Sequence, residues 1–171
     1  METIRAALRT FANSVEQTPG RFNLLEIAGR TVVQDYCHNL HGLEALADFV
    51  QRMEAPHTVA AIYMTATRAD EHITAFGRLA AQIFDELVLI QDARPEYQRG
   101  CPTGGVPALL QAGAIAGGLA PEKISLAHDK LEAADMAMAR SRSGSLVVLL
   151  GGRDPAGIWK HLTQRHHEST V

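Results

Sequence analysis

Apolar residues along the chain follow two patterns that alternate from one end to the other. Short apolar runs are typical of strands buried on both faces, whereas apolar residues spaced three and four apart predict helices. The runs predict strands at residues 22–28, 30–35, 58–64, 87–90, 124–127 and 146–150. The helical spacing predicts helices at residues 4–11, 40–53, 73–84, 106–115 and 130–140, with a short last helix from Ile158.

This alternation predicts an α/β protein, a Rossmann-like three-layer domain in which helices flank a mostly parallel sheet. The 171 residues, 46% of them hydrophobic, fit one domain with a substantial core. Residues 1–20 are expected to form an N-terminal helix and linker, residues 21–162 the core and residues 163–171 a tail. An irregular segment at 92–105, rich in Pro, Gly and Arg, interrupts the pattern.

Charge and cysteine content narrow the classes of partner and compartment. The formal net charge is −3, and acidic and basic residues are mixed without a Lys/Arg cluster, so no nucleic-acid partner is expected. No apolar stretch approaches the roughly 20 residues that span a bilayer, and no membrane association is expected. Cys37 and Cys101 are too few for a disulfide framework, which favours the cytoplasm.

The segment Asp35-Tyr36-Cys37-His38-Asn39 is the main candidate for chemistry, because it lies between a predicted strand and a predicted helix. Ligands of parallel sheets bind beyond the carboxyl ends of the strands. Asp35 can accept hydrogen bonds from ribose hydroxyls, and His38 with the helix N–H groups can face phosphate oxygens. The alternative is that Asp35 or Asn39 only caps the helix beginning near Leu40.

Other residues that could bind a ligand or a metal, or act as a nucleophile, also have a purely structural explanation. Arg68 can bind a ligand, or it can be a solvated residue of a helix that Thr67 caps. His38-x-x-His41 with Asp35 lacks the further ligand that zinc needs, so no metal site is expected. Cys37 is expected to be a small buried residue and not a nucleophile. Gly151-Gly152 is expected to form a tight turn after the last strand.

Several motifs, in order along nearly the whole chain, resemble the C-terminal domain of Mur-type ligases. Asp35-Tyr36-Cys37-His38-Asn39 is similar to their Asp-Tyr-Ala-His-Asn-Pro motif. Within these ligases, the segment from Pro19 to Asn23 resembles the last domain of the cyanophycin synthetase family. Residues 66–73 are similar to that family's Gly-Asp-Arg-Arg-Asp-Glu-Asp-Ile, and Arg99-Gly100 with Gly104 to its Arg-Gly-Arg-x-x-Gly-Glu loop.

The resemblance implies roles for individual residues. Ligases of this type use ATP to activate a carboxylate as an acyl-phosphate, which an amine then captures. The implied nucleotide-binding residues are Asp35, at the ribose, with His38 and Asn39. The implied catalytic residues are Arg68 and His38, near the transferred phosphoryl group. The implied substrate-binding residues are Arg68, Arg94 and Arg99.

The resemblance also implies cofactors and partners. ATP and Mg would be bound mainly by domains absent from this chain, since the sequence has no Gly-x-x-x-x-Gly-Lys-[Ser/Thr] loop. The implied partners are a preceding ATP-binding central domain and an amino-acid or peptide substrate, with a homo-oligomer as a further expectation. The domain alone would be inactive. The alternative is a non-catalytic binding module derived from this family, because Cys37 and Leu40 replace the motif's Ala and Pro.

Overall fold

The fold is a six-stranded sheet between two layers of helices, seen in a computed structural model that describes residues 9, 14–91, 105–152 and 154–167. The strands are β1 (Asn23–Ile27), β2 (Arg30–Asp35), β3 (Thr58–Ile62), β4 (Glu86–Ile90), β5 (Ile124–Ala127) and β6 (Leu146–Leu150). The helices are α1 (Leu40–Arg52), α2 (Asp70–Ile83), α3 (Gly105–Ala116), α4 (Lys130–Arg140) and α5 (Pro155–His167). A 3₁₀ turn, Pro121–Lys123, precedes β5.

The strand order is β1-β2-β6-β3-β4-β5, with β1 antiparallel to β2 and every other pair parallel. This confirms the predicted three-layer α/β class. The sequential β-α-β connections place the carboxyl ends of β2, β3, β4, β5 and β6 at one edge of the sheet. That edge is where ligands of such sheets bind.

The core lies on both faces of the sheet, which explains the unbroken apolar runs of β3, β4 and β6. Successive residues of a strand point to opposite faces. In β6, Val148 packs in the cluster that contains residues of α1, α2 and α3. Val147 and Leu149 pack in the cluster that contains residues of α4 and α5.

The last helix is longer than its apolar pattern predicts. α5 begins at Pro155, three residues before Ile158, and continues to His167, so part of the predicted tail is helical. Asp154 Oδ1 accepts a hydrogen bond from Gly157 N at 3.0 Å, and proline suits the first helical turn. The predicted N-terminal helix lies outside the described residues apart from residue 9.

Helices α2 and α3 approach so closely that two glycines are required at their contact. A Cβ atom at Gly77 would lie 2.1 Å from the carbonyl oxygen of Leu110, and one at Gly113 would lie 2.0 Å from that of Thr74. No side chain fits at such distances, since the obstacle is backbone. The contact fixes α3, whose first residue, Gly105, follows directly on the segment 92–104.

A buried ion cluster lies at the opposite edge of the sheet from the ligand edge. Glu86, the first residue of β4, is 8% exposed. It contacts Lys123 at 3.1 Å, His57 at 3.3 Å and the guanidinium of Arg140. Burial alone would raise the Glu86 pKa, but hydrogen bonds from Lys123 and Arg140 outweigh it and lower the pKa.

No helix of the described residues combines the length and apolarity needed to cross a membrane.

Candidate functional site

Asp35 joins three segments at the carboxyl end of β2. Its Oδ2 accepts a hydrogen bond from Phe22 N at 2.8 Å, and its carbonyl oxygen accepts one from Gly151 N at 2.8 Å. The first bond holds the linker before β1, and the second holds the turn between β6 and α5. Among the described residues, Oδ1 of the same carboxylate has no hydrogen-bond partner, so it can accept a hydrogen bond from a ligand.

A cavity of about 190 Å³, the Asp35 cavity, opens beside this carboxylate. Its lining includes Gly20 of the linker, Asp35 and Tyr36 after β2, and Gly151-Gly152 after β6. Gly151 has a φ of +73°, and a Cβ atom there would lie 2.3 Å from the carbonyl oxygen of Tyr63. Only glycine suits this turn, so the backbone of the turn forms part of the cavity wall.

Gln34 also lines the Asp35 cavity, and sequence reasoning missed it. The side chain is 2% exposed, and its Oε1 has no hydrogen-bond partner among the described residues. Its cross-strand neighbour Asn23 is satisfied, with Oδ1 accepting from Gly20 N and Nδ2 donating to Thr18 O. The available signal was a glutamine within the apolar run of β2.

A second cavity of about 240 Å³, the histidine cavity, lies where α1 and α2 begin. Basic and imidazole side chains surround it, namely those of His38, His41, Arg68 and His72. Its apolar lining comes from Leu40, Met64 and Phe76. Among the residues that the structure describes, no carboxylate lines it, and the first turn of α1 contains no acidic residue. The free N–H groups and positive dipole end of α1 add to the attraction for an anion.

Asn39 is the N-cap of α1, which confirms the capping alternative for this residue. Its Oδ1 accepts from Gly42 N at 2.9 Å, so only the amide nitrogen is left to donate to a ligand. Asp35 does not cap the helix, because its carboxylate binds Phe22 instead. The two side chains therefore hold different parts of the same turn.

His38 has a defined ring orientation. Nδ1 lies 2.9 Å from the carbonyl oxygen of Tyr36. Because a carbonyl oxygen only accepts, Nδ1 carries the proton and Nε2 is the nitrogen available to a ligand. The ring centroids of His38 and Tyr36 are 5.0 Å apart, and the Arg21 guanidinium lies 5.0 Å from the Tyr36 centroid on that ring's face. These contacts order the segment that joins the two cavities.

The alternative in which Thr67 caps α2 is wrong in its choice of cap. The N-cap is Ala69, which makes no side-chain capping bond, and the Thr67 hydroxyl is 2.8 Å from that of Thr65. Thr67 therefore turns toward its own loop, since a second hydroxyl is within reach there. Arg68 is exposed and lines the histidine cavity.

The structure groups the predicted site residues into two sets. His38, Asn39 and Arg68 line the histidine cavity, whereas Asp35 lines the neighbouring Asp35 cavity. Arg94 and Arg99 lie outside the described residues. Within the described ranges, no three His, Cys, Asp or Glu side chains are grouped as metal ligands.

Cys37 lies between the two cavities and is buried, as expected from the sequence. Burial raises the pKa of its thiol to about 11, against an opposing hydrogen bond to the Asn39 backbone. The thiol is therefore protonated near neutral pH and does not act as a nucleophile.

Comparison with known proteins identifies relatives of this arrangement. Residues 20–153 match the model of the family described as Mur ligase, glutamate ligase domain. The chain is 38% identical over 113 residues to the cyanophycin synthetase of Trichormus variabilis, covering 66% of this chain and 12% of that protein. It is 31% identical over 164 residues to that of Synechocystis sp., covering 92% and 19%. The chain thus spans less than a fifth of the length of these relatives.

Solved structures show the same fold. A UDP-N-acetylmuramoyl-L-alanyl-D-glutamate–2,6-diaminopimelate ligase superposes with a TM-score of 0.68 at 18% identity, covering 96% of this chain and 37% of that one. E. coli FolC, solved in complex with ADP, superposes with a TM-score of 0.65 at 19% identity, covering 96% and 39%.

Proposed function

The chain belongs to the family of the Mur ligase glutamate ligase domain, and from this premise we propose that it forms one wall of an ATP-dependent carboxylate–amine ligase site. The observation that carries the proposal is the pair of cavities at the carboxyl edge of the sheet. One presents a carboxylate to hydroxyl donors, and the other presents Arg68 with three imidazoles to an anion. A nucleotide needs both kinds of surface.

The residues of the Asp35 cavity suit the ribose of the nucleotide. Asp35 Oδ1 accepts a hydrogen bond from a ribose hydroxyl while Oδ2 stays bound to Phe22 N. Because that second bond fixes the carboxylate, its orientation is set before the ligand arrives. The turn at Gly151-Gly152 keeps this wall open to the sugar, since neither residue projects a side chain into it.

The histidine cavity suits the phosphoryl group in transfer. ATP supplies that group: a substrate carboxylate attacks the terminal phosphorus, ADP leaves, and the acyl-phosphate then reacts with an amine to give an amide and phosphate. Such a reaction depends on positioning and on stabilisation of negative charge. Arg68 supplies the fixed positive charge, and Asn39 and His38 act as hydrogen-bonding groups beside it. We assign Arg94 and Arg99, with Arg68, to binding of the amino-acid or peptide substrate.

The metal and the remaining nucleotide contacts are assigned to another part of the ligase. We propose that an ATP-binding central domain carries Mg and the phosphate loop and closes against the edge that holds both cavities. Closure would exclude water from the acyl-phosphate. This division agrees with the small share of its relatives' length that the chain spans.

A second candidate function is a non-catalytic binding module. It is favoured by the changes at the motif, where Leu40 replaces proline and Cys37 replaces alanine. Both changed side chains pack in or beside the core, so the fold accommodates them whatever the site does. Such a module would bind a nucleotide or a partner without consuming ATP.

Turnover of the native polypeptide tests the two functions. An immunoblot with an antibody against this domain gives the size of the native polypeptide. The same antibody purifies the polypeptide from its source, and ADP release from ATP is then assayed with amine substrates. The ligase function predicts turnover that falls roughly a hundredfold in Asp35→Asn and in Arg68→Gln, whose side chains meet the nucleotide. Arg52→Gln, at the far end of α1, is the control. Nucleotide binding without turnover would favour the binding module.

A further inference from the structure

We propose that the histidine cavity is an oxyanion site in its own right, which binds phosphate or pyrophosphate without the nucleoside. This inference rests on the proposed function in one respect, because phosphate is the part of the nucleotide that the proposed function assigns to the histidine cavity. The new assignments are His41 and His72, to which neither the motifs nor the sequence patterns give a role.

The assignment rests on the positions of these two histidines. His41 is the second residue of α1 and His72 the third residue of α2, so they reach the cavity from two different helices. With His38 and Arg68 they present four nitrogen-bearing side chains to a space of about 240 Å³. Charge-assisted hydrogen bonds from several directions are what a tetrahedral oxyanion requires.

The acidic residues nearby are directed to a different surface. Glu44 of α1 and Asp70 and Glu71 of α2 line a separate groove between these helices, together with Arg78. Leu40 belongs to the lining of both spaces and separates them. Within the described part of the chain, the charged groups that line the histidine cavity are therefore Arg68 and, when protonated, its three histidines.

His38 makes the binding dependent on a proton. Nδ1 already donates to the Tyr36 carbonyl, so Nε2 must gain a proton from solvent before it can donate to an oxyanion. His41 and His72 have no such constraint, because a neutral imidazole has one N–H to donate. Binding of an anion therefore takes up a proton, chiefly at His38.

Titration of the 171-residue chain with inorganic pyrophosphate tests the proposal. Amide chemical shifts and calorimetry are recorded for the wild type, the double variant His41→Gln/His72→Gln, and Arg68→Gln. We expect saturable binding that weakens roughly tenfold in the double variant, as loss of charge-assisted hydrogen bonds at an exposed site predicts. His128→Gln, an exposed histidine after β5 at the same edge of the sheet, is the matched control and should bind as the wild type does.

Calorimetry in buffers of different ionisation enthalpy measures the number of protons that the protein takes up when the anion binds. The observed binding enthalpy should rise with buffer ionisation enthalpy in the wild type, and this slope should fall in His38→Gln. A merely structural role for His38 would leave the slope unchanged.

A parallel titration with ADP separates this inference from the proposed function. Pyrophosphate binding without ADP binding would contradict the proposed nucleotide-binding function and support the oxyanion site. ADP binding with unchanged affinities for both ligands in the double variant would overturn the oxyanion site alone. Failure of the wild type to bind pyrophosphate saturably would overturn it as well.

Discussion

Individual residues at the carboxyl end of β2 perform distinct tasks despite being adjacent in sequence. Asp35 holds the linker, His38 is oriented by the Tyr36 carbonyl and Asn39 caps α1. Cys37 points into the core between them, where Gly42 passes close to its sulfur. The polar side chains of Asp35, His38 and Asn39 are thus oriented by contacts with backbone atoms.

The buried thiol of Cys37 should react slowly with alkylating reagents. A pKa of about 11 in place of 9.0 lowers the thiolate fraction at pH 8 about a hundredfold, and the rate follows the thiolate. The measurement is iodoacetamide labelling of the Cys101→Ser variant, followed by mass spectrometry. The rate should rise steeply up to pH 11. Labelling as fast as that of free cysteine would show that the thiol is accessible, and Cys37→Ala is the blank.

At the scale of elements, the contact between α2 and α3 is the most demanding one in the fold. Gly77 and Gly113 each face a backbone carbonyl of the other helix at distances that exclude a methyl group. The two helices therefore behave as one unit beneath the sheet. His72 lies in the first turn of α2 and Arg68 lies two residues before that helix, so the position of this unit bears on the histidine cavity.

Gly77→Ala should destabilise the domain. Alanine favours a helix by about 1 kcal/mol over glycine, but its Cβ would lie 2.1 Å from the Leu110 carbonyl oxygen and force the helices apart. We expect a net loss of about 2 kcal/mol in the free energy of unfolding, measured by urea denaturation. Gly42→Ala in α1 is the comparison, because its nearest neighbour is the Cys37 sulfur at 3.0 Å. Equal stability of Gly77→Ala and wild type would contradict the packing.

For the whole molecule, the two candidate cavities and the buried ion cluster lie at opposite edges of the sheet. The carboxyl edge carries the two cavities, whereas the amino edge carries Glu86 with its basic partners. Charges at a binding edge must stay available to a ligand. The charges at the opposite edge can pair within the protein and hold β4, β5 and α4 together.

The Glu86 cluster should make stability depend on pH. The Glu86 pKa is lower in the folded state than the ordinary value of 4.5, so its stabilisation is present above that value and is lost as pH falls through the folded pKa. Glu86→Gln should lose about 1–2 kcal/mol of unfolding free energy at pH 7, with a smaller loss at pH 3.5, because charged hydrogen bonds are removed. Urea denaturation of both proteins at both pH values measures this. Glu122→Gln, an exposed neighbour, should show neither effect.

The element types, their order and the fold class follow from the amino-acid sequence alone. Strands β2, β5 and β6 and helix α4 have the bounds that their apolar patterns predict, because burial on two faces or on one stripe leaves a local periodicity. The motif around Asp35 also lies at the carboxyl edge of the sheet, as its position after a predicted strand indicated. The apolar periodicity and the motif each lie within a few consecutive residues, so both are visible in the sequence alone.

Tertiary structure alone decided how the site is divided. Pairing of β2 with β6 brings Gly151 to Asp35, and the meeting of α1 with α2 brings His72 to His41. These partners are distant in sequence, so no local pattern records them. The burial of Gln34 has the same origin, because elements distant in sequence cover its side chain. Which side chains share a cavity depends on strand order and helix packing, and these follow from contacts across the whole chain.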